Sequence, residues 1–362
     1  MADRVVGALS RPFVVHGTGC VIGASVGIAH SADVPGTDVD AEARSGALLR
    51  NADLALYAAK ARGKGQYAFY APVMHAAAVE RVTLEAALGR ALERGEFCLV
   101  FQPIVDLATG AAVGAEALVR WDHPKRGRVA PADFIPLAEE TGLIVPLGRW
   151  VLDTACRQAA GWPAAPGKRG VAVTVNVSGR QLARPEFVSE VEAALAASGL
   201  APARLTLELT ESTVIHDPAR AITRLTALKA LGVRLAVDDF GTGYSALSYL
   251  QQFPLDVLKI DKRFVDPVAA GGQAAALAAA IVGLGDALSL QTVAEGIESA
   301  AQAAVLRAMR CALGQGYHFA RPLAADVIGG WLAAGAPLNA PTGVDASDAS
   351  WASADARCGV RR

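Results

Sequence analysis

Between residues 96 and 335, short apolar runs alternate with longer helical stretches, and most of the runs end in a carboxylate or an amide. AAVGAE ends at Glu116, VAVTVN at Asn176, RLTLE at Glu208, VRLAVDD at Asp238 and Asp239, DVLK at Lys259 and LQTVAE at Glu295, with Gln315 further on. Apolar runs of about 5 to 8 residues separated by helix-length stretches mark repeated β/α units and a parallel sheet. The pattern predicts an α/β fold, a (β/α)8 TIM-like barrel, whose C-terminal strand ends converge on one face. Acids gathered on that face repel one another and raise each other's pKa unless positive charge offsets them. Carboxylate and amide oxygens suit Mg²⁺ or Mn²⁺ rather than zinc, and paired divalent metals serve phosphodiester cleavage. Lys259 is the one cation in the series.

The chain has 362 residues, of which 52% are hydrophobic, enough for a large domain and a smaller one. A net charge of −1 gives no electrostatic case for binding a nucleic-acid polymer. The five cysteines, Cys20, Cys98, Cys156, Cys311 and Cys358, show no metal-site spacing and fit a reducing cytoplasm. The first residues, MADRVVGALSRPF, lack the continuous apolar core of a signal peptide. The charge-free stretch Val268–Gly285 is long enough to resemble a membrane span. It is mostly Ala and Gly and lies between two predicted strands, so a buried barrel helix is expected, with no membrane contact.

Four segments are expected. Residues 1–75 hold a short helix, a strand pair (PFVVHG and CVIGASVGIAH), a helix over about 41–62 and a last strand, QYAFY. This forms a small, incomplete α/β piece. Val73–Gly95 reads as one helix stopped by Gly95, residues 76–95 linking the small piece to the barrel. The barrel occupies 96–335. The polar, small-residue-rich tail over 336–362 is expected to be disordered.

An ordered series of motifs then narrows the reading. FQPIVDL (101–107), AEALVRW (115–121), FIPLAEETGLI (134–144), NVSGRQL (176–182), LELTES (207–212), DDFGTGYSAL (238–247), LKID (258–261), VAEGIE (293–298) and GQGYHFARPL (314–323) follow one another. Together they closely resemble the EAL domains, bacterial cyclic-di-GMP-specific phosphodiesterases, with the naming triplet intact at Glu116, Ala117 and Leu118. The resemblance implies hydrolysis of one 3′–5′ phosphodiester bond of cyclic di-GMP to linear 5′-pGpG, with two Mg²⁺ or Mn²⁺ ions per site. Glu116, Asn176, Glu208 and Asp238 would hold the first metal, and Asp238 would bridge to a second completed by Asp239 and Glu295. Lys259 would orient or deprotonate the attacking water, so that Lys259, Glu295 and Glu116 form the catalytic set. Gln102, Arg120 and Gln315 would bind or position the substrate, Arg120 through a bidentate phosphate contact. Glu211 would anchor the DDFGTGYSAL loop, which in this family couples the metal site to a dimer interface; a homodimer through the barrel is therefore implied.

Residues 1–75 resemble the C-terminal half of a diguanylate cyclase domain, carried by SVGIAH (25–30) and RNADLALYAAKARGKGQYAFY (50–70). That family's phosphate-contacting residues would fall at Lys60 and near Lys64. Its naming glycine-rich signature is absent from this sequence, so GTP binding is not expected. The triplet Arg310, Cys311, Ala312 departs from the Gly-Cys-Asp common in EAL domains and predicts a local change before Gln315. Two other functional classes fit the residues less well. A non-catalytic cyclic-di-GMP receptor would keep the pocket but lose ligands, whereas every ligand position here is filled. A generic barrel enzyme acting on sugar phosphates would explain the acids but not the motifs.

Overall fold

The computed structural model describes residues 1–15, 18–20, 22–34, 40–162, 170–215, 217–240 and 251–334. The expected tail and most of the DDFGTGYSAL loop lie outside these residues, as does Trp351. The chain divides into two compact units, Met1–Gly89 and Arg90–Arg362.

The first unit contains α1 (Ala2–Leu9), β1 (Phe13–Val15), β2 (Thr18–Cys20), β3 (Val26–Ile28), α2 (Ala41–Ala61) and β4 (Tyr67–Phe69). Strands β1 and β2 pair antiparallel, and β3 pairs parallel with β4. A parallel pair needs a crossover, and α2 supplies it. Gly27 sets how closely α2 packs on β3, because a Cβ there would stand 1.9 Å from the Ala52 carbonyl oxygen. The residues buried beneath are small: Ala55, Ala59 and Ala68. The long helix α3 (Pro72–Ala91) follows, and the division between the units falls within it.

The second unit is the barrel. Its strands are β5 (Phe97–Asp106), β6 (Ala112–His123), β7 (Gly127–Val129), β8 (Ala172–Asn176), β9 (Leu205–Thr210), β10 (Arg234–Phe240), β11 (Val257–Ile260), β12 (Gln291–Ala294), β13 (Leu313–Gly314) and β14 (Leu323–Ala324). The helices are α4 (Pro131–Thr141), α5 (Ile144–Ala160), α6 (Gly179–Ala183), α7 (Phe187–Ser198), α8 (Glu211–Ile215), α9 (Pro218–Ala230), α10 (Lys262–Val265), α11 (Gly272–Ala287), α12 (Ala300–Ala308) and α13 (Ala325–Ala334). Eight strands close a ring in the order β5, β6, β8, β9, β10, β11, β12, β13 and back to β5. This is the expected TIM-like α/β barrel.

One strand departs from the all-parallel expectation. β5 runs antiparallel to both β6 and β13. The cause is local: β5 and β6 are joined by a short turn, and only antiparallel neighbours can be joined that way. Asp106 closes the turn, its Oδ1 accepting from the Ala108 and Thr109 amides at 3.0 and 2.8 Å. A second departure concerns Val268–Gly285. It is broken at Gly271 and Gly272, with φ of 75° and 60°, between a 3-10 turn at Val268–Ala270 and α11. α11 buries Ala278, Ile281, Val282 and Gly285 and leaves Leu277 exposed, as an outer barrel helix should. Among the described residues, no helix is long and apolar enough to cross a membrane.

The core lies in two layers. Inside the ring, Ile104, Ala236, Val257, Val293 and Leu313 pack together. Between the strands and the outer helices, Leu258, Ile260, Ile281, Val282 and Leu306 form part of a larger cluster. Side chains alternate across each strand, so residues two apart share the inner face. That alternation carries polar side chains above the inner apolar layer.

Candidate active site

Strand register places the polar side chains side by side. Gln102 on β5 pairs with Glu116 on β6, and Asn176 on β8 pairs with Glu208 on β9. Asp238 lies in β10 and Lys259 in β11, while Glu295 and Gln315 are the first residues beyond β12 and β13. The expectation that each acid ends its strand needs correction at Glu116. β6 continues seven residues further, because antiparallel pairing with β5 and β7 carries it past the ring. Arg120 therefore stands within β6, opposite Cys98, and not beyond its end.

Lys259 is the hub of the site and is almost wholly buried. Its ammonium donates to Glu208 and forms an ion pair with Glu295, and it stands 3.7 Å from Asp238 and 3.9 Å from Glu116. Burial disfavours the charged amine, but the four carboxylates outweigh it and hold Lys259 well above its usual pKa. Burial also pushes the Glu208 carboxyl well above the usual range; Lys259 opposes the rise and the other acids add to it. Glu295 is pushed up to about 7, again by burial first, against the pull of Lys259. One ammonium does not neutralise four clustered acids.

Amides tie the acids together. Asn176 Nδ2 donates to Glu116 Oε1 at 2.7 Å, although Asn176 itself is exposed. Gln315 Nε2 donates to Glu116 Oε2 at 2.7 Å and to Gln102 Oε1 at 3.0 Å. Glu208 Oε2 and Gln315 Oε1 are buried oxygens with no hydrogen-bond partner. Glu208, Asp238 and Glu295 each offer an oxygen, all within 4.8 Å of one another. The donor set is hard oxygen, with unused buried lone pairs, and it fits a divalent cation of the Mg²⁺ or Mn²⁺ kind.

A pocket of about 300 Å³ opens on this cluster, lined by Gln102, Glu116, Asp238, Lys259, Glu295 and Gln315 together with Lys262, Glu298 and Tyr317. The structure thus brings together most of the residues singled out from sequence. The Asp239 side chain lies outside the described residues. Arg120 lines a neighbouring, mostly apolar pocket of about 310 Å³ together with Asn176 and Leu118. Its Nη1 donates to the Val119 carbonyl at 3.0 Å. Burial is the main cause holding its guanidinium below its usual pKa. Glu211 is buried at the start of α8.

Lys262, Glu298 and Tyr317 were not foreseen. Lys262 and Glu298 each lie three residues beyond a recognised site residue, Lys259 and Glu295. Lys262 Nζ donates to Glu298 Oε1 at 2.6 Å and to Asp266 Oδ1 at 2.8 Å. The only sequence signal was proximity to those site residues, which a strand-end pattern does not convert into a shared pocket. His123 is the last residue of β6; its Nδ1 accepts from the Lys125 and Arg126 amides. The departure at residues 310–312 is local: Arg310 takes φ 63°, Cys311 is buried, and the Ala312 amide donates to Thr292 Oγ1 at 3.2 Å.

Comparison with known proteins agrees with this arrangement. The family profile described as EAL domain matches residues 85–322. MucR of Pseudomonas aeruginosa, named a bifunctional diguanylate cyclase/cyclic di-GMP phosphodiesterase, is 42% identical over 326 residues, 90% of this chain and 46% of MucR. NbdA of the same organism, named a cyclic di-GMP phosphodiesterase, is 39% identical over 89% of this chain and 40% of its own length. The chain thus spans less than half the length of these two relatives. A solved structure titled PaMucR phosphodiesterase, c-di-GMP complex, superposes with a TM-score of 0.65 at 43% identity, over 68% of this chain and 99% of that one. With the barrel, the polar cluster and the profile match in agreement, the chain belongs to the EAL domain family.

Proposed function

We propose that the barrel hydrolyses one phosphodiester bond of cyclic di-GMP, releasing linear 5′-pGpG, with two Mg²⁺ or Mn²⁺ ions at the site. The observation that carries this reading is the convergence of Glu116, Glu208, Asp238 and Glu295 on one buried ammonium, Lys259. Glu116, Asn176, Glu208 and Asp238 would hold one metal, and Asp238, Asp239 and Glu295 the other. Bound there, divalent metal supplies Lewis-acid neutralisation of phosphoryl oxygens and makes water more acidic. Gln315, bridging Glu116 and Gln102, keeps both side chains oriented from the β13 side. Lys259, fixed among the acids, is placed to hold a proton at its Nζ and to orient the attacking water. Gln102 and Arg120 would contact the substrate from β5 and β6.

The relatives' names support the substrate, and the barrel's own polar set supports the chemistry. The deciding experiment incubates the purified chain with cyclic di-GMP and Mg²⁺ or Mn²⁺ and resolves the products by chromatography. Metal-dependent 5′-pGpG is expected. Saturable binding without product would replace the enzyme with a receptor.

Three finer assignments belong to the same proposal. Residues 1–75 are the C-terminal half of a diguanylate cyclase-like domain, joined by the segment 76–95 to a barrel over 96–335; the helix in that segment, α3, ends at Ala91 and not at the expected Gly95. The α2 crossover between parallel strands and the reach of the MucR alignment beyond the barrel support this. Glu211 anchors the loop after β10, supported by its burial beside that strand's end. The barrel pairs with a second copy of itself, as the family resemblance implies, and the protein works in the cytoplasm.

A further inference from the structure

The side chains lining the pocket at the acids are charged or amide-bearing, with one aromatic among them. That one is Tyr317, which with 53% of its surface exposed is a large aromatic side chain open to solvent. Arg321 covers one side of its ring, the guanidinium carbon standing 4.5 Å from the ring centroid.

The backbone that carries the ring is pinned. The Ile297 amide donates to the Gln315 carbonyl at 3.0 Å, and the His318 amide donates to the Ile297 carbonyl at 2.9 Å. Between them, a Cβ at Gly316 would stand 2.1 Å from the Ile297 carbonyl oxygen. The turn 315–318 is thereby clamped to the segment that carries Glu295. An exposed ring held this firmly, backed by a cation, offers a preorganised π face a short way from the phosphodiester-cleaving cluster. Aromatic faces stack nucleobases regardless of base identity, and a neighbouring guanidinium strengthens the platform.

We infer that Tyr317, backed by Arg321, is a stacking platform for one guanine base of the substrate. This rests on the cyclic-di-GMP reading and adds a substrate-positioning residue to it. The platform binds the base and leaves the chemical step to the acids and Lys259, so its loss raises KM and spares kcat.

The test compares Tyr317→Ala, Tyr317→Leu and Tyr317→Phe. Turnover of cyclic di-GMP is followed by chromatography, and its Kd is measured by calorimetry in a Lys259→Ala background. The Ala and Leu variants are expected to weaken Kd and raise KM by about tenfold or more, with kcat held. Phe, which keeps the ring and drops the hydroxyl, is expected to match the parent. Parent-like Kd in Tyr317→Ala, or an equal loss in all three variants, would overturn the platform. Absence of cyclic-di-GMP binding by the parent chain with Lys259 intact would overturn it too. A parent that binds but makes no 5′-pGpG would sink the hydrolysis reading alone, the Kd series still deciding the role of Tyr317.

Discussion

At the scale of single residues, the site is an electrostatic problem with Lys259 at its centre. Four acids surround one ammonium, and two of them, Glu208 and Glu295, have raised pKa values because they are buried. Removing a member changes the charge that metal and substrate meet, while the apolar layers beneath stay in place. Glu116→Ala and Lys259→Ala are each expected to lower kcat by about 10² or more. Circular dichroism should remain that of the parent. Near-parent hydrolysis by either variant would remove the metal-site assignment. Gly316→Ala is expected to act differently, by sterics. The new Cβ has no room against the Ile297 backbone, so Gln315 must shift and the unit is destabilised by about 1–3 kcal/mol. Lower activity with a lower urea midpoint is the expected reading; an unchanged midpoint would show that the clamp yields freely. The acids were legible from sequence because each follows an apolar run. Tyr317 was not, because an aromatic in a GQGY turn has no periodicity to mark which pocket it faces.

At the scale of elements, short connections decide both topology and geometry. The turn closed by Asp106 makes β5 antiparallel, and the close approach at Gly27 seats α2 on β3. α9 holds the barrel wall through Ala221, Leu225 and Leu228. Leu225→Ala leaves a cavity under a fully buried position and is expected to cost about 2–5 kcal/mol by urea denaturation. A cost under about 0.5 kcal/mol would mean that α9 does not seal that wall. Glu211 belongs to this scale as well, standing at the start of α8 directly after β9. If it anchors the loop following β10, Glu211→Ala should shift the Mg²⁺ titration of activity to higher concentration while leaving the ligands in place. An unchanged titration would end that assignment. The repeated β/α pattern was readable from alternating apolar and helical stretches. The antiparallel first strand was not, since a strand's direction is set by how its connection closes.

At the scale of the whole molecule, two units with separate cores share one chain. The solved MucR phosphodiesterase chain is matched over 99% of its length by 68% of this one, about what the barrel occupies. A chain of residues 72–362 is therefore expected to keep cyclic-di-GMP turnover within about threefold of the parent, as a domain with its own core should. A larger loss would make residues 1–71 part of the catalytic assembly. The barrel, the family and the acids are legible along the chain, because alternation along strands and an ordered motif series are local, one-dimensional signals. Which side chains meet is fixed in three dimensions: Lys259 gathers four acids, Arg120 lines a separate pocket, and Tyr317 lines the pocket at the acids. Those pairings depend on strand register and on loops clamped across the barrel mouth, distances that no spacing along the chain encodes.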